Sequence, residues 1–336
     1  MTKLVEERVS SFKVMIDCVG MRALITGGAG FIGSHLVDRL MEEGSFVVCA
    51  DDLSLGRKDY IHHHLNSERF VFVECDVRKH NLLAPLFERY AFDVVFHLAA
   101  NSDIQAGMRD PSIDLERTFF STYTVLVCMQ KYGVKKIVFA STPAVYGMQE
   151  WPVGEDTGPL FPISLYGAAK LASEAYISAF VELASMQAWI FRFPNVIGER
   201  LTHGVIFDFI KNLRDVPSEL TVLGDGKQEK PYMHVSDLID GILFVFKRTD
   251  EARNYFHLGV LDATRVSDIA RIVIEEMKLP PVSIVYTGGA QGWRGDVPRF
   301  QYDISKVSKL GWRAKLGSTE AVRHTVRALL DELSLK

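Results

Sequence analysis

Cysteine, long apolar runs and charge of one sign are what this sequence lacks. Its four cysteines, Cys18, Cys49, Cys75 and Cys128, are scattered with no C-x-x-C spacing. That excludes a disulfide framework and suits buried thiols in a reducing, cytoplasmic setting. No apolar stretch reaches the roughly 18 residues of a membrane-spanning helix, so no membrane partner is expected. A net charge of -4 excludes a bulk electrostatic grip on nucleic acid, while leaving room for a local basic pocket that takes a small diphosphate. No internal repeat and no low-complexity segment is present, which excludes a repeat array or a disordered chain.

Residues 1–20 carry Glu6 and Glu7 and no long apolar core, against a signal peptide. Two expectations stand for them: a short helical extension packed on the surface, or a leader upstream of a translation start at Met21.

From Met21 onward, short apolar runs alternate with helical patterns. The runs are Ala23–Thr26, Phe46–Ala50, Phe70–Cys75, Val94–Leu98 and Lys136–Ala140. They are nearly continuous in hydrophobicity, as strands buried on both faces are. Gly33–Glu43 and Leu115–Tyr132 read as helices between them. The alternation predicts an α/β fold, a Rossmann-type doubly wound parallel sheet with helices on both sides. Beyond about residue 194 the rhythm loosens. Helices are expected at Val205–Leu213, Ser236–Arg248, Ser267–Met277 and Thr319–Leu330, and a strand at Leu220–Leu223. The expected division is an extension over 1–20, a nucleotide-binding domain over 21–194, and a smaller substrate-binding region over 195–336, partly interleaved with the first.

Gly27, Gly30 and Gly33 follow the first strand and open a helix at G-x-x-G-x-x-G spacing. Glycine permits the tight turn and lets backbone N–H groups reach a pyrophosphate at the helix N-terminus. Phe31 and Ile32 lie inside that turn. Asp51 and Asp52 end the second strand about 20 residues on, where an acid accepts from the adenosine ribose and repels a 2′-phosphate, favouring NAD over NADP. Leu53, Ser54 and Gly56 continue that loop, and Arg57 could soften the discrimination. Asp76, beside Val77, is either an acceptor for the adenine amino group or a helix N-cap. Leu98, Ala99 and Ala100 end the fourth strand with side chains small enough to admit a cofactor.

Tyr166 and Lys170 stand at i and i+4, on one face if helical. A free phenol is a poor base at pH 7. A neighbouring ammonium and a cationic nicotinamide are expected to pull its pKa towards neutrality. Thr142, after the fifth strand, can hydrogen-bond a reacting sugar oxygen.

These segments, TGGAGFIG (26–33), DDLSLG (51–56), FHLAA (96–100), FASTPAVYG (139–147), YGAAK (166–170), FRFPNVIGER (191–200) and WRGDVP (293–298), together resemble the extended short-chain dehydrogenase/reductases of the NAD-dependent epimerase/dehydratase family. They are most similar to the UDP-glucose (galactose) 4-epimerases, over nearly all of the chain from Met21. The resemblance implies NAD as cofactor, a nucleotide sugar (a UDP-hexose) as substrate, and a homodimer formed through helices near 107–131 and 166–185. It implies that Tyr166 takes the proton of the sugar C4 hydroxyl. Lys170 would hold the nicotinamide ribose and Thr142 would assist at the sugar. Pro194 would lie beside the nicotinamide, where relatives often carry Phe. Asn195, Gly204, Val205, Val222, Lys230, Arg294 and Asp296 would hold the nucleotide diphosphate, and Phe300 would narrow the pocket near sugar C2.

Three departures bear on the reaction. The 4,6-dehydratases carry Asp-Glu after the Thr, where this chain has Pro143-Ala144; the related decarboxylases usually carry Glu at the position of Ala144. Thr118 stands where many relatives have Asn. Lys230 stands where many have Arg, which keeps the charge but not the bidentate fork. No metal is expected. His62-His63-His64 point in different directions with no acid or Cys to complete a set, His97 reads as a satisfied core histidine, and Trp151, Trp293 and Trp312 read as packing or pocket walls. The reading is therefore a 4-epimerase of UDP-glucose and UDP-galactose. UDP-glucuronate or UDP-N-acetylglucosamine as substrate, or a non-catalytic NAD-binding protein on the same fold, are the alternatives.

Overall fold

A computed structural model describes residues 16–289, 297 and 299–334. Residues 1–15, Trp293, Arg294 and Asp296 lie outside the described residues, and with them most of the expected extension. Residues 16–20 are not helical. Ile16 donates its N–H to Lys247 O, and the carbonyl of buried Cys18 accepts from Ser45 Oγ at 2.8 Å.

Seven parallel strands make the central sheet. From edge to edge they run Arg253–His257, Gln187–Arg192, Lys136–Ser141, Val94–His97, Arg22–Thr26, Phe46–Asp51 and Phe70–Glu74. The chain enters in the middle, winds out to Phe70–Glu74, crosses back over the first strand and winds the other way. Each expected strand falls within a residue or two of the observed one.

Both faces of the sheet are covered, and this explains the continuous apolar runs. Ala23 and Ile25 face one core, with Leu36, Leu40, Trp189 and Phe246. Leu24 between them faces the other, with Leu83, Phe87, Leu126 and Met129. All of these are fully buried apart from Phe87, at 2 % exposure. A third core, including Ile206, Ile210, Leu213, Leu220, Ile269 and Val326, belongs to the second half of the chain. That half also supplies the edge strand Arg253–His257, and its helix Val235–Arg248 packs on Phe31–Glu42. All four cysteines are unpaired and buried. Among the described residues, no helix is long and apolar enough to cross a membrane.

The helix expected over Leu115–Tyr132 opens with a π-helical turn, Leu115–Phe120, before the α-helix Ser121–Tyr132. Hydroxyls bind the widened turn. Ser121 Oγ and Thr122 Oγ1 both donate to Thr118 O, at 2.9 and 2.8 Å, and Thr118 Oγ1 accepts from Asn101 N–H at 3.1 Å. Thr118 is fully buried, so its hydroxyl here serves the backbone.

Phe246 ties the second half of the chain to the sheet, edge-on to Trp189 at 4.8 Å and to Phe96 at 5.6 Å. Phe246→Ala should lower unfolding free energy by about 3–5 kcal/mol through cavity formation, read by urea denaturation. A loss below about 1 kcal/mol would show that this contact does not join the two halves.

Candidate active site

The expected cofactor residues follow the carboxyl ends of successive parallel strands: the glycines after Thr26, Asp51 at its strand end, Asp76 and Val77 after Glu74, Leu98–Ala100 after His97. Thr142 follows Ser141 and Pro194 follows Arg192 in the same way. Strand order reverses between Arg22–Thr26 and Val94–His97, and ligands of such sheets sit at that crevice.

Gly27 has φ 72°, and a Cβ there would lie 2.8 Å from Ala99 N. A Cβ on Gly33 would collide with Gly27 O. The loop is therefore a cradle that only glycine leaves open. The helix it feeds, Phe31–Glu42, has Gly30 as N-cap and no side-chain cap. Its first N–H groups, those of Phe31 and Ile32 among them, are left for an anion such as a pyrophosphate, and the residues present fit a dinucleotide.

Asp51 is 7 % exposed and braces this loop, accepting from Ala29 N–H at 3.0 Å and Leu53 N–H at 2.8 Å. Burial pushes its pKa up. Gly56 leaves room for the carboxylate: a Cβ there would meet Asp51 Oδ1 at 2.7 Å. Asp52 is exposed and accepts from Ser54 N–H at 2.9 Å. Asp76 is not the cap of the helix that follows it. Helix His80–Tyr90 has Lys79 as its N-cap and no side-chain cap. The Asp76 carboxylate instead grips the Arg78 guanidinium, at 2.8 and 2.9 Å, and that bond holds its pKa down. His97 is a satisfied core histidine, with Nδ1 2.7 Å from Thr26 Oγ1 and Nε2 3.0 Å from Thr122 Oγ1. Burial drags its pKa down to about 3, so it is neutral.

Ser164 caps the helix Leu165–Ala184, its Oγ accepting from Gly167 N–H at 3.1 Å. Tyr166 and Lys170 share one face of that helix, with Lys170 Nζ 5.9 Å from the Tyr166 ring centre. Lys170 is 2 % exposed and donates to Ala140 O at 2.7 Å. Thr142 Oγ1 accepts from Ala144 N–H at 3.2 Å, and the same hydroxyl lies near enough to the Tyr166 phenol to favour its ionised form. Among the protein side chains alone, burial dominates. Burial pushes Tyr166 up to about 12, against the Thr142 hydroxyl, and pulls Lys170 down to about 7, against Glu174 and Asp114. Desolvation outweighs the local attractions, so the protein side chains alone do not make a phenolate.

Two carboxylates escaped the sequence reading. Glu174 lies one turn beyond Lys170 and is buried with Arg192, whose Nε and Nη2 donate to it at 3.0 and 2.6 Å. Tyr255 OH donates to it at 2.8 Å, and Ser141 Oγ also donates. The 166-170-174 spacing was the available signal. Asp114, 1 % exposed, accepts from Asn101 Nδ2 at 2.8 Å through Oδ1, while Oδ2 has no partner. Nothing local in sequence marks it.

On the substrate side, Asn195 is exposed. Gly204, at φ 99°, and Val205 open the uncapped helix Val205–Asp215. Lys230 pairs with Thr264 in a short antiparallel ladder. Phe300, 6 % exposed, packs 5.8 Å from Trp151 and 5.9 Å from Tyr302. Val222 is corrected: it is fully buried in the third core and presents no surface to a nucleotide. The histidine run is corrected too. Asp38 completes a set, its Oδ1 lying 2.9 Å from His63 Nε2 and 2.7 Å from His64 Nε2. Arg200 Nη2 takes the other oxygen at 2.8 Å.

The low pKa of Lys170 has a stability consequence. Its folded value, about 7, lies below the unfolded value of 10.5. The unfolded chain then binds more protons between those values, and the penalty, complete below pH 7, is relieved as pH rises towards 10.5. Comparing cofactor-stripped wild type with Lys170→Met by urea denaturation from pH 7 to 9 should show wild type gaining by up to about 1.4 kcal/mol per pH unit relative to the variant. Parallel profiles would refute the depressed pKa.

A sequence model of the NAD dependent epimerase/dehydratase family matches residues 23–259. A crystal structure of a UDP-galactose 4-epimerase is 37% identical, with TM-score 0.83, covering 93% of this chain and 100% of that one. A UDP-glucose 4-epimerase of Mycolicibacterium smegmatis is 30% identical over 91% of this chain and 97% of its own length. A UDP-glucuronate 4-epimerase of Thermodesulfobacterium geofontis is 27% identical over 93% of this chain and 97% of its own. With the glycine cradle and the Tyr166–Lys170 pair in place at the sheet's carboxyl edge, these matches establish that the chain belongs to the NAD-dependent epimerase/dehydratase family, with NAD as its cofactor.

Proposed function

We propose that the chain is a nucleotide-sugar 4-epimerase that interconverts UDP-glucose and UDP-galactose. The observation that carries this reading is the pairing of Tyr166 with Thr142 where only Pro143 and Ala144 follow. A dehydration needs a carboxylate at that place to remove water from the sugar, and none is there. Bound NAD supplies a hydride acceptor that also returns the hydride. The residues do the remainder. Tyr166 takes and returns the C4 hydroxyl proton. Thr142 holds the reacting oxygen. Lys170 holds the nicotinamide ribose and keeps positive charge below the phenol. Asn195, Gly204, Val205 and Lys230 hold the diphosphate, joined by Arg294 and Asp296. Phe300 stands against a bulky substituent at sugar C2. UDP-glucuronate is the competing substrate, because a relative named for it is nearly as similar.

We place the enzyme in the cytoplasm, as its buried, unpaired thiols suggest, and as a homodimer. Leu115, Phe120, Tyr123 and Tyr176 are each more than 40 % exposed on the π-turn and on helices Ser121–Tyr132 and Leu165–Ala184. Tyr123→Glu with Tyr176→Glu should halve the mass seen by light scattering. An unchanged mass would place the interface elsewhere or show a monomer.

Purified protein should convert UDP-galactose to UDP-glucose without added NAD. Tyr166→Phe should lower turnover by about 10²–10⁴-fold while retaining NAD. Turnover of UDP-glucuronate or UDP-N-acetylglucosamine alone would reassign the sugar. Silence on all three, with NAD supplied, would favour a non-catalytic NAD-binding protein.

A further inference from the structure

Residues 198–204 lead from the strand Asn195–Ile197 to the helix Val205–Asp215. Within this turn Arg200 has φ 65°, a region that residues with a side chain rarely occupy. Such a backbone persists only where its surroundings over-determine it. Here the contacts arrive from both halves of the chain.

On the NAD side, Arg200 Nη2 lies 2.8 Å from Asp38 Oδ2. Asp38 belongs to Phe31–Glu42, the helix that the glycine cradle feeds. Its other oxygen meets His63 and His64, from the 3-10 helix Lys58–His64 that follows the ribose loop. Tyr60 of that same helix meets two guanidiniums, with Arg57 6.0 Å and Arg200 5.9 Å from its ring centre. Arg57 N–H in turn donates to Ala29 O, inside the cradle, at 2.9 Å. His35, three residues before Asp38, reaches the turn directly, its Nε2–H donating to Glu199 O at 3.0 Å.

On the substrate side, Arg200 N–H donates to Glu332 Oε1 at 2.9 Å, on the C-terminal helix Ser318–Ser334. Ser236 N–H donates to His234 Nδ1 at 3.3 Å, so His234 Nε2 carries the proton and faces Glu199 Oε2 at 3.5 Å. Leu201, the next residue, is buried in the third core. The Arg200 and Asp38 side chains are 21 % and 22 % exposed, and a pair of that exposure adds little to stability by itself. Its consequence lies in what it joins.

We infer that Arg200 is a positioning residue that couples the two ligand sites. Through Asp38 and Tyr60 it follows the cradle helix and the ribose loop, and through its own backbone it sets the turn that opens at Gly204 and Val205. NAD in the cradle then holds the turn in the form that receives a nucleotide diphosphate, and the diphosphate favours NAD by the same factor. This rests on the reading above that Gly204 and Val205 hold the diphosphate of a UDP-sugar.

UDP is the probe, because it reaches the diphosphate site without the sugar that would touch the nicotinamide. It is titrated calorimetrically into NAD-loaded and NAD-stripped protein. Wild type should bind UDP about 5-fold more tightly, or better, with NAD in place. Arg200→Ala and Asp38→Asn should each bring that ratio below about 2 while the NAD-loaded protein still binds UDP. A residue that only supports the fold would weaken both forms alike and leave the ratio as it was. A wild-type ratio near 1, or an unchanged ratio in both variants, would overturn the inference. No UDP binding by wild type in either form would instead defeat the UDP-sugar reading, and the coupling with it.

Discussion

Lys170 is a charge-bearing group placed where water cannot reach it, and much of the site is arranged around that placement. Its amine lies against the end of a sheet strand, bonded to Ala140 O and 4.7 Å above the Phe139 ring. Burial works against the ammonium. What opposes burial is a pair of carboxylates from different elements, Glu174 one turn along the same helix and Asp114 before the π-turn. Glu174 is itself held by Tyr255 from one edge strand of the sheet and by Arg192 from the strand next to it. The cofactor side of the site and the sheet edge are thereby one electrostatic unit.

Tyr166, beside it and only partly buried, is pushed the opposite way. The side chains alone leave the phenol protonated and the amine only half charged at neutral pH. This is a site tuned to act with a positive charge beside the phenol, which oxidised NAD brings. The sheet topology makes that meeting possible. A parallel sheet whose order reverses at its first strand gathers the glycine cradle, Asp51, Thr142 and Pro194 at one edge. The uncapped helix beginning at Phe31 aims its N–H groups at the same place.

Features local in sequence were legible in it. The strand rhythm, the glycine spacing and the Tyr166–Lys170 face depend on neighbours a few residues apart, and all are seen in the structure. What escaped the reading depends on contacts across the fold. Val222, placed at the nucleotide by the resemblance alone, is sealed into the third core beside the strand Ser283–Tyr286 and under helices Val205–Asp215 and Val266–Glu276. Asp76 fails as a helix cap for a local reason instead, because Arg78, two residues on, takes its carboxylate. Asp38 meets His63 and His64, and Glu199 comes near His234 and His324, only because separate elements of the chain converge. Lys170 was read as a fixed cation because sequence shows its partners on the helix face but not its burial.

The most direct test of the central claim follows the hydrogen at the reacting carbon. UDP-galactose carrying deuterium at C4 is converted in ordinary water without added NAD, and the UDP-glucose formed is analysed by mass spectrometry. Retention of the label at C4 is the predicted result, because the hydride leaves and returns inside one closed site while Tyr166 handles only the hydroxyl proton. Loss of the label to solvent would contradict the account.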